Sequence, residues 1–143
     1  MQPINFEEVL EQIIIKDGRY QREAYYFLRE ALDHTQKMLA KASRTAELRH
    51  ITGKELLNGV REYALNQYGP MALMVLNEWG IQKCEHIGDI VFNMVEHQLL
   101  SKTEQDNRAD FEGGYDFEEA FRAPFLPSAS RKPSGPEEVG RQA

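Results

Sequence analysis

A single cysteine, Cys84, leaves this chain no intrachain disulfide framework and fits a reducing compartment. No run approaches the ~18 apolar residues that a membrane span needs. The opening residues, MQPINFEEVL, lack the basic-then-apolar order of a signal peptide. A cytoplasmic location is expected, with no membrane partner. Basic charge is also short: 17 Lys and Arg stand against 23 Asp and Glu, a net of −6. That balance opposes a general nucleic-acid binder.

Catalytic and cofactor motifs are missing as well. There is no phosphate-cradling GxxxxGK[ST], no dinucleotide GxGxxG, no HExxH and no GxSxG. Asp106, Asp110 and Glu112 form an acidic stretch, but the calcium-loop pattern fails at its third position, Arg108, and at its glycine. Cys84, His86 and His97 are the only set with metal-ligand chemistry. One rigid helix would hold the two histidines about 16 Å apart, by the ~1.5 Å rise per residue. Cys84 near a histidine lacks the orienting group that a nucleophile needs. The expectation is no catalytic residue, no metal and no cofactor.

What is present is helical patterning, centred on Thr52 to Gly80. Thr52 with Glu55 has capping-box spacing. Leu56, Val60 and Ala64 then recur at helical intervals. Gly69-Pro70 breaks the chain sharply, because Gly tolerates positive φ and Pro has no N–H to lose. Met71 to Leu76 carries no polar side chain, so a buried helix is expected there. Trp79-Gly80 closes it.

Earlier in the chain, Asn5 with Glu8 starts a helix whose apolar face is Phe6, Val9, Leu10, Ile13 and Ile14. Lys16-Asp17-Gly18-Arg19 is a turn. A long helix over about 20–41 follows, with the stripe Ala24, Phe27, Leu28, Ala31, Leu32, Thr35, Met38 and Leu39. Arg29 and Asp33 have i,i+4 pairing distance on it. Ile81 to Glu85 suits a loop or one short strand, and a last helix is expected from about His86 to Ser101.

Two helix–turn–helix copies are suggested. Tyr20, Ala24, Leu28 and Glu30 match Tyr68, Ala72, Leu76 and Glu78 at a constant offset of 48 residues. The expected fold is therefore all-α, a compact bundle of about five helices built from two such repeats. It comprises a helical domain over 1–101, an acidic-aromatic arm over 102–126 packed on it, and a disordered tail over 127–143.

Two segments carry candidate contacts. The arm interleaves Phe111, Tyr115, Phe117, Phe121 and Phe125 with acids, an arrangement suited to grooves. It either wraps its own domain or binds a partner. The connector 37–54 sets Lys37, Lys41, Arg44, Arg49 and Lys54 against Glu47 alone, a candidate basic patch.

Three segments, DGRYQREAYYFLREAL, ELLNGVREYALNQYGPMALMVLNEWGI and GDIVFNMVEHQLLSKTEQDNRADFEGGYDFEEAF, together resemble an uncharacterised bacterial family of short repeat-containing proteins, typical of planctomycetes and verrucomicrobia. The resemblance runs to Phe121. It implies that the acidic-aromatic stretch belongs to the module. It implies no activity, substrate or cofactor, and no catalytic residue.

The functional expectation is a non-enzymatic cytoplasmic protein-interaction or scaffolding module whose partner is another protein. The alternatives are a nucleic-acid-associated regulator using the basic connector, and a small enzyme or metal protein using Cys84 and a histidine.

Overall fold

Asn5 opens the first helix by accepting the backbone N–H groups of Glu7 and Glu8 at its side-chain oxygen, at 3.0 and 3.2 Å. In this computed structural model, which describes residues 5–43, 51–100 and 108–127, that helix is α1 (Phe6–Lys16). It is followed by α2 (Arg22–Ser43), α3 (Gly53–Tyr68), α4 (Ala72–Glu78) and α5 (Cys84–Glu96). Among the described residues there is no strand, and the fold is all-α. Ile81 to Lys83 is loop, and α5 begins at Cys84, so the short strand considered for Ile81 to Glu85 does not form.

The Thr52 box is complete. Thr52 Oγ1 accepts the Glu55 N–H at 3.1 Å, and the Glu55 carboxylate accepts the Thr52 N–H at 3.0 Å. The helix ends at Gly69, whose φ of +51° and following Pro70 turn the chain through a short 3-10 segment, Gly69–Met71, into α4. At the other end of α4, Gly80 takes φ +94°. A Cβ there would lie 2.6 Å from the Arg19 carbonyl oxygen. The Gln21 N–H donates to the Trp79 carbonyl at 3.0 Å, so this close approach joins the turns that follow α1 and α4.

The core lies between α2 and α3, the most extensive helix pairing described. Phe27, Leu28, Ala31 and Thr35 of α2 face Leu56, Leu57, Val60 and Ala64 of α3, all buried. Thr35 is the one buried polar side chain described, and its hydroxyl donates to the Ala31 carbonyl at 2.7 Å, which offsets its desolvation. Gly59 lies directly against it, and a Cβ on Gly59 would come within 2.8 Å of Thr35 Cβ. Small residues at a helix crossing let the backbones approach closely; here only hydrogen fits.

Several local expectations are corrected. The run Met71 to Leu76 is not buried all round: Ala72 and Leu76 face the core, while Met71 and Met74 are 51% and 53% exposed. The helix packs on α3 and beside the arm, and neither covers the side that carries Met71 and Met74. Asp33 pairs forward with Lys37 at 3.0 Å, not back with Arg29. The Arg29 guanidinium instead lies 4.2 Å from the Phe6 ring centroid. The long helix starts at Arg22 rather than Tyr20, because residues 17–21 complete the turn. The last helix starts earlier and stops at Glu96. Gln98 adopts φ +64°, and the Leu99 N–H reaches back to the Met94 carbonyl at 2.8 Å, a Schellman-type close.

Replacing Gly59 with alanine should destabilise the protein by about 2 kcal/mol or more, the usual scale of overpacking in a tight core. Urea unfolding of the variant measures this, and an unchanged midpoint would contradict the packing described.

Candidate interaction surfaces

After α5 the described chain resumes at Arg108 and lies along the body as the arm. Its parts are a 3-10 turn (Arg108–Phe111), a π-helical turn (Glu118–Arg122) and a second 3-10 turn (Ala123–Phe125). Over Glu118 to Arg122 the chain is wound more widely than an α-helix.

Phe111 is buried between α3 and α5. The floor of its slot is glycine on both sides. A Cβ on Gly53 would stand 3.2 Å from the Phe111 ring, and one on Gly88 2.9 Å from its Cβ and Cγ. Phe92 meets the ring edge-on at 6.3 Å. Farther along, Gly114 passes over Leu57 and Cys84 so closely that a Cβ would be 2.6 Å from Leu57 Cδ1. Tyr115 donates its hydroxyl to the Leu57 carbonyl at 2.8 Å, and burial pushes its acidity well below that of an ordinary tyrosine. Phe117 and Phe121 are buried, and with Tyr115 they form a ring cluster with centroids 5.0–5.9 Å apart. Phe125 stands apart from this pattern at 44% exposed. Of the five aromatics expected as contact residues, four are thus packed on the chain's own body and one faces solvent.

Only part of the basic patch falls among the described residues. Lys37 is paired with Asp33, Lys41 and Lys54 are exposed, and Arg44 and Arg49 lie outside the described residues. The tail over 128–143 lies outside them too.

Cys84, His86 and His97 point to different partners. Cys84 is buried and its thiol donates to the Tyr115 carbonyl at 3.5 Å; burial pushes that thiol up from its usual value. His86 Nδ1 accepts the Gln82 N–H at 3.0 Å, and its ring packs against Tyr20. Burial, helped by Lys83, lowers the His86 pKa and favours the neutral ring. His97 Nδ1 is 2.9 Å from the Asn93 carbonyl oxygen. Among the described residues no group of three or more His, Cys, Asp and Glu is placed to hold a metal ion, and no helix is long and apolar enough to cross a membrane.

Sequence reasoning missed a polar node where the first turn, α5 and the arm meet. Arg19 forks onto Asp17 at 2.7 and 2.9 Å and reaches Asp89 at 3.2 Å. Tyr20 donates to Asp89 at 2.7 Å, and Arg108 donates to its other oxygen at 2.9 Å. The Asn93 amide bridges Asp17 and the Tyr25 hydroxyl, each at 3.0 Å. Asp89 therefore holds the start of the arm and the α1–α2 turn with one carboxylate. The available signal was the Asp89 and Asn93 spacing of four residues on one helix face, but nothing in the sequence said that Asp17 and Arg108 would meet it.

The other feature missed is the outer face of α4. A groove of about 630 Å³ runs between α4 and the π-helical turn, lined by Pro70, Leu73, Met74, Glu78, Glu118 and Arg122 among others. Comparison with protein families, curated proteins and solved structures finds no match.

The hydrogen bonds of Arg19 hold the Asp17 carboxyl well below the usual carboxylate range. A carboxyl with a depressed folded pKa stabilises the fold above its unfolded value, about 4, and loses that contribution as pH falls toward the native value. Stability should therefore drop below about pH 4, and Asp17→Asn should flatten that slope. Thermal unfolding across pH 2–6 checks it; parallel slopes for the two proteins would contradict it.

Proposed function

We propose that the protein is a non-enzymatic interaction or scaffolding module, acting in the cytoplasm, and that it is a member of the bacterial repeat family its segments resemble. The observation that carries the reading is the exposure of Met71, which ends the 3-10 segment, and of Met74 on α4, in a run with no polar side chain before Asn77. Exposed apolar groups gathered on one element, with charges beside them, are typical of recognition surfaces. The groove beside them is shallow and open, as a surface for a macromolecule is. The arm contributes by lining one wall through Glu118 and Arg122. Its buried aromatics then act as the scaffold of the surface rather than as its contacts.

The reading through Cys84 has less support, since a buried thiol with a raised pKa is the opposite of an activated nucleophile. The reading through the basic connector is weakened by the Asp33 carboxylate on Lys37.

The test is quantitative affinity capture with the wild-type chain and with Met71→Glu/Met74→Glu. Both positions are exposed, so circular dichroism and melting temperature should stay close to wild type. The expected result is a defined set of proteins enriched by the wild type and lost with the variant. Equal recovery by the two, or no enrichment over empty matrix, would overturn the reading.

A further inference from the structure

The two repeats bury the same helix face but cover the adjacent face differently. Ala24 and Leu28 of α2, and their counterparts Ala72 and Leu76 of α4, are all fully buried. Matched inner faces at the same spacing fix the neighbouring faces as matched too, because an α-helix has one angular period. At the constant offset, the groove residues Pro70 of the 3-10 segment and Met74 and Asn77 of α4 correspond to Arg22, Tyr26 and Arg29 of α2.

In the first repeat that face is covered by a helix. Phe6 of α1 packs on Tyr26 with centroids 5.2 Å apart, and Glu7 accepts the Tyr26 hydroxyl at 3.0 Å. Arg29 lies over the Phe6 ring, and Arg22 pairs with Glu11. In the second repeat the helix in the place of α1 is α3, whose N-cap Thr52 matches Asn5 at an offset of 47. Gly53, Lys54 and Asn58 stand there in place of Phe6, Glu7 and Glu11, and Gly53 lies under the Phe111 ring. The α4 face therefore lacks the ring and the acids that cover its counterpart, and Met74 stays exposed.

The charges differ in a way that selects the missing element. Where α2 offers Arg22 and Arg29 to an acidic helix, α4 offers the uncharged Pro70 and Asn77. The rim of the α4 groove carries Glu78, Glu118 and Arg122, and the adjoining groove adds Asp116 and Lys83, three acids against two bases. Arg122 and Glu118 pair with each other at 3.3 Å, which leaves Glu78 and Asp116 against Lys83. The floor is Leu73 and the flexible, polarisable Met74, a surface that adapts to varied apolar anchors.

From this we infer that the outer face of α4 docks an amphipathic helix of a partner protein, one with apolar anchors and Lys or Arg on its flanks. This rests on the interaction reading above and names the chemistry of the partner at that surface. Helix-in-groove docking uses anchors at i, i+3 or i+4 and i+7, which a short helix such as α4 can meet across two turns.

The test is fluorescence anisotropy on the full chain. The probe is a labelled leucine–lysine amphipathic peptide of about 18 residues, a length that can become helical on binding. The same peptide with glutamate for lysine, and with glutamine for lysine, provides the comparison. The variants are Met74→Glu, Glu78→Lys and, as a charge control, Glu96→Lys. Glu96 is exposed at the C-terminal end of α5, where lysine suits the helix dipole. The expected result is saturable binding of the lysine peptide. Met74→Glu and Glu78→Lys should each weaken it by about tenfold or more, as loss of a central contact does, and Glu96→Lys should not. Two binding results would overturn the inference. One is lysine-peptide binding that Glu96→Lys weakens as much as Glu78→Lys, or that Met74→Glu leaves intact, which is attraction to net charge alone. The other is stronger Met74-dependent binding of the glutamate or glutamine peptide, which rejects the basic partner while leaving the α4 surface as an interaction site. Absence of binding by all three peptides also rejects the inference, and the capture experiment with Met71→Glu/Met74→Glu then decides the broader reading separately.

Discussion

The seating of Phe111 against two glycines is the contact on which the rest of the arrangement depends. Gly53 begins α3 and Gly88 sits in the first half of α5, so one ring fixes the relative position of two helices that share few other direct contacts. A phenylalanine buried there removes a large apolar area from water, of the order of 2–3 kcal/mol. It does so only because neither helix presents a Cβ. Asp89, one residue after Gly88, then holds Arg108, so the apolar seat and the ionic latch reinforce each other within one turn of α5. The arm is thereby a structural layer. It covers Leu57 and Cys84, and it supplies a wall for the surface beside α4.

The repeat explains why that surface exists. Two helix–turn–helix units with the same inner face have been joined so that α3 serves two neighbours. It packs on α2 across the Gly59–Thr35 contact and on α4 through the Gly69-Pro70 turn. α1 packs on α2, and it spends Phe6, Glu7 and Glu11 there. The second unit is left with a covered inner face and a bare outer one. The truncation of α4 at Glu78, seven residues against the twenty-two of α2, keeps that bare face short.

Much of the architecture was legible from local signals. The Thr52–Glu55 box, the Asn5 cap, the Gly69-Pro70 break and the stripe of α2 each rest on chemistry within a few residues, and each is present. Burial of the Met71–Leu76 run was misjudged because an apolar sequence states what a helix can bury, not what its neighbours are able to cover. The end of α5 was misplaced because Gln98 takes positive φ, a conformation that a non-glycine residue rarely announces. The arm's aromatics were legible as contact residues, but their seat was not. Gly53 and Gly88 read as ordinary helix positions until the ring lying on both is seen. The node around Asp89 joins residues 17, 19, 20, 93 and 108, separations that no periodicity connects.

The most direct measurement is amide hydrogen exchange on the full-length chain, read at the arm. Glu112, Ala120 and Leu126 donate their N–H groups to Ala109, Asp116 and Ala123, and these bonds persist only while the arm is seated. The account predicts slow exchange at Glu112 and Ala120, at rates matching those of Gly88 and Asp89, since seat and arm open together. Exchange of those arm amides at the rate of an unstructured peptide, with α5 still protected, would contradict it and make the arm a free ligand rather than part of the fold.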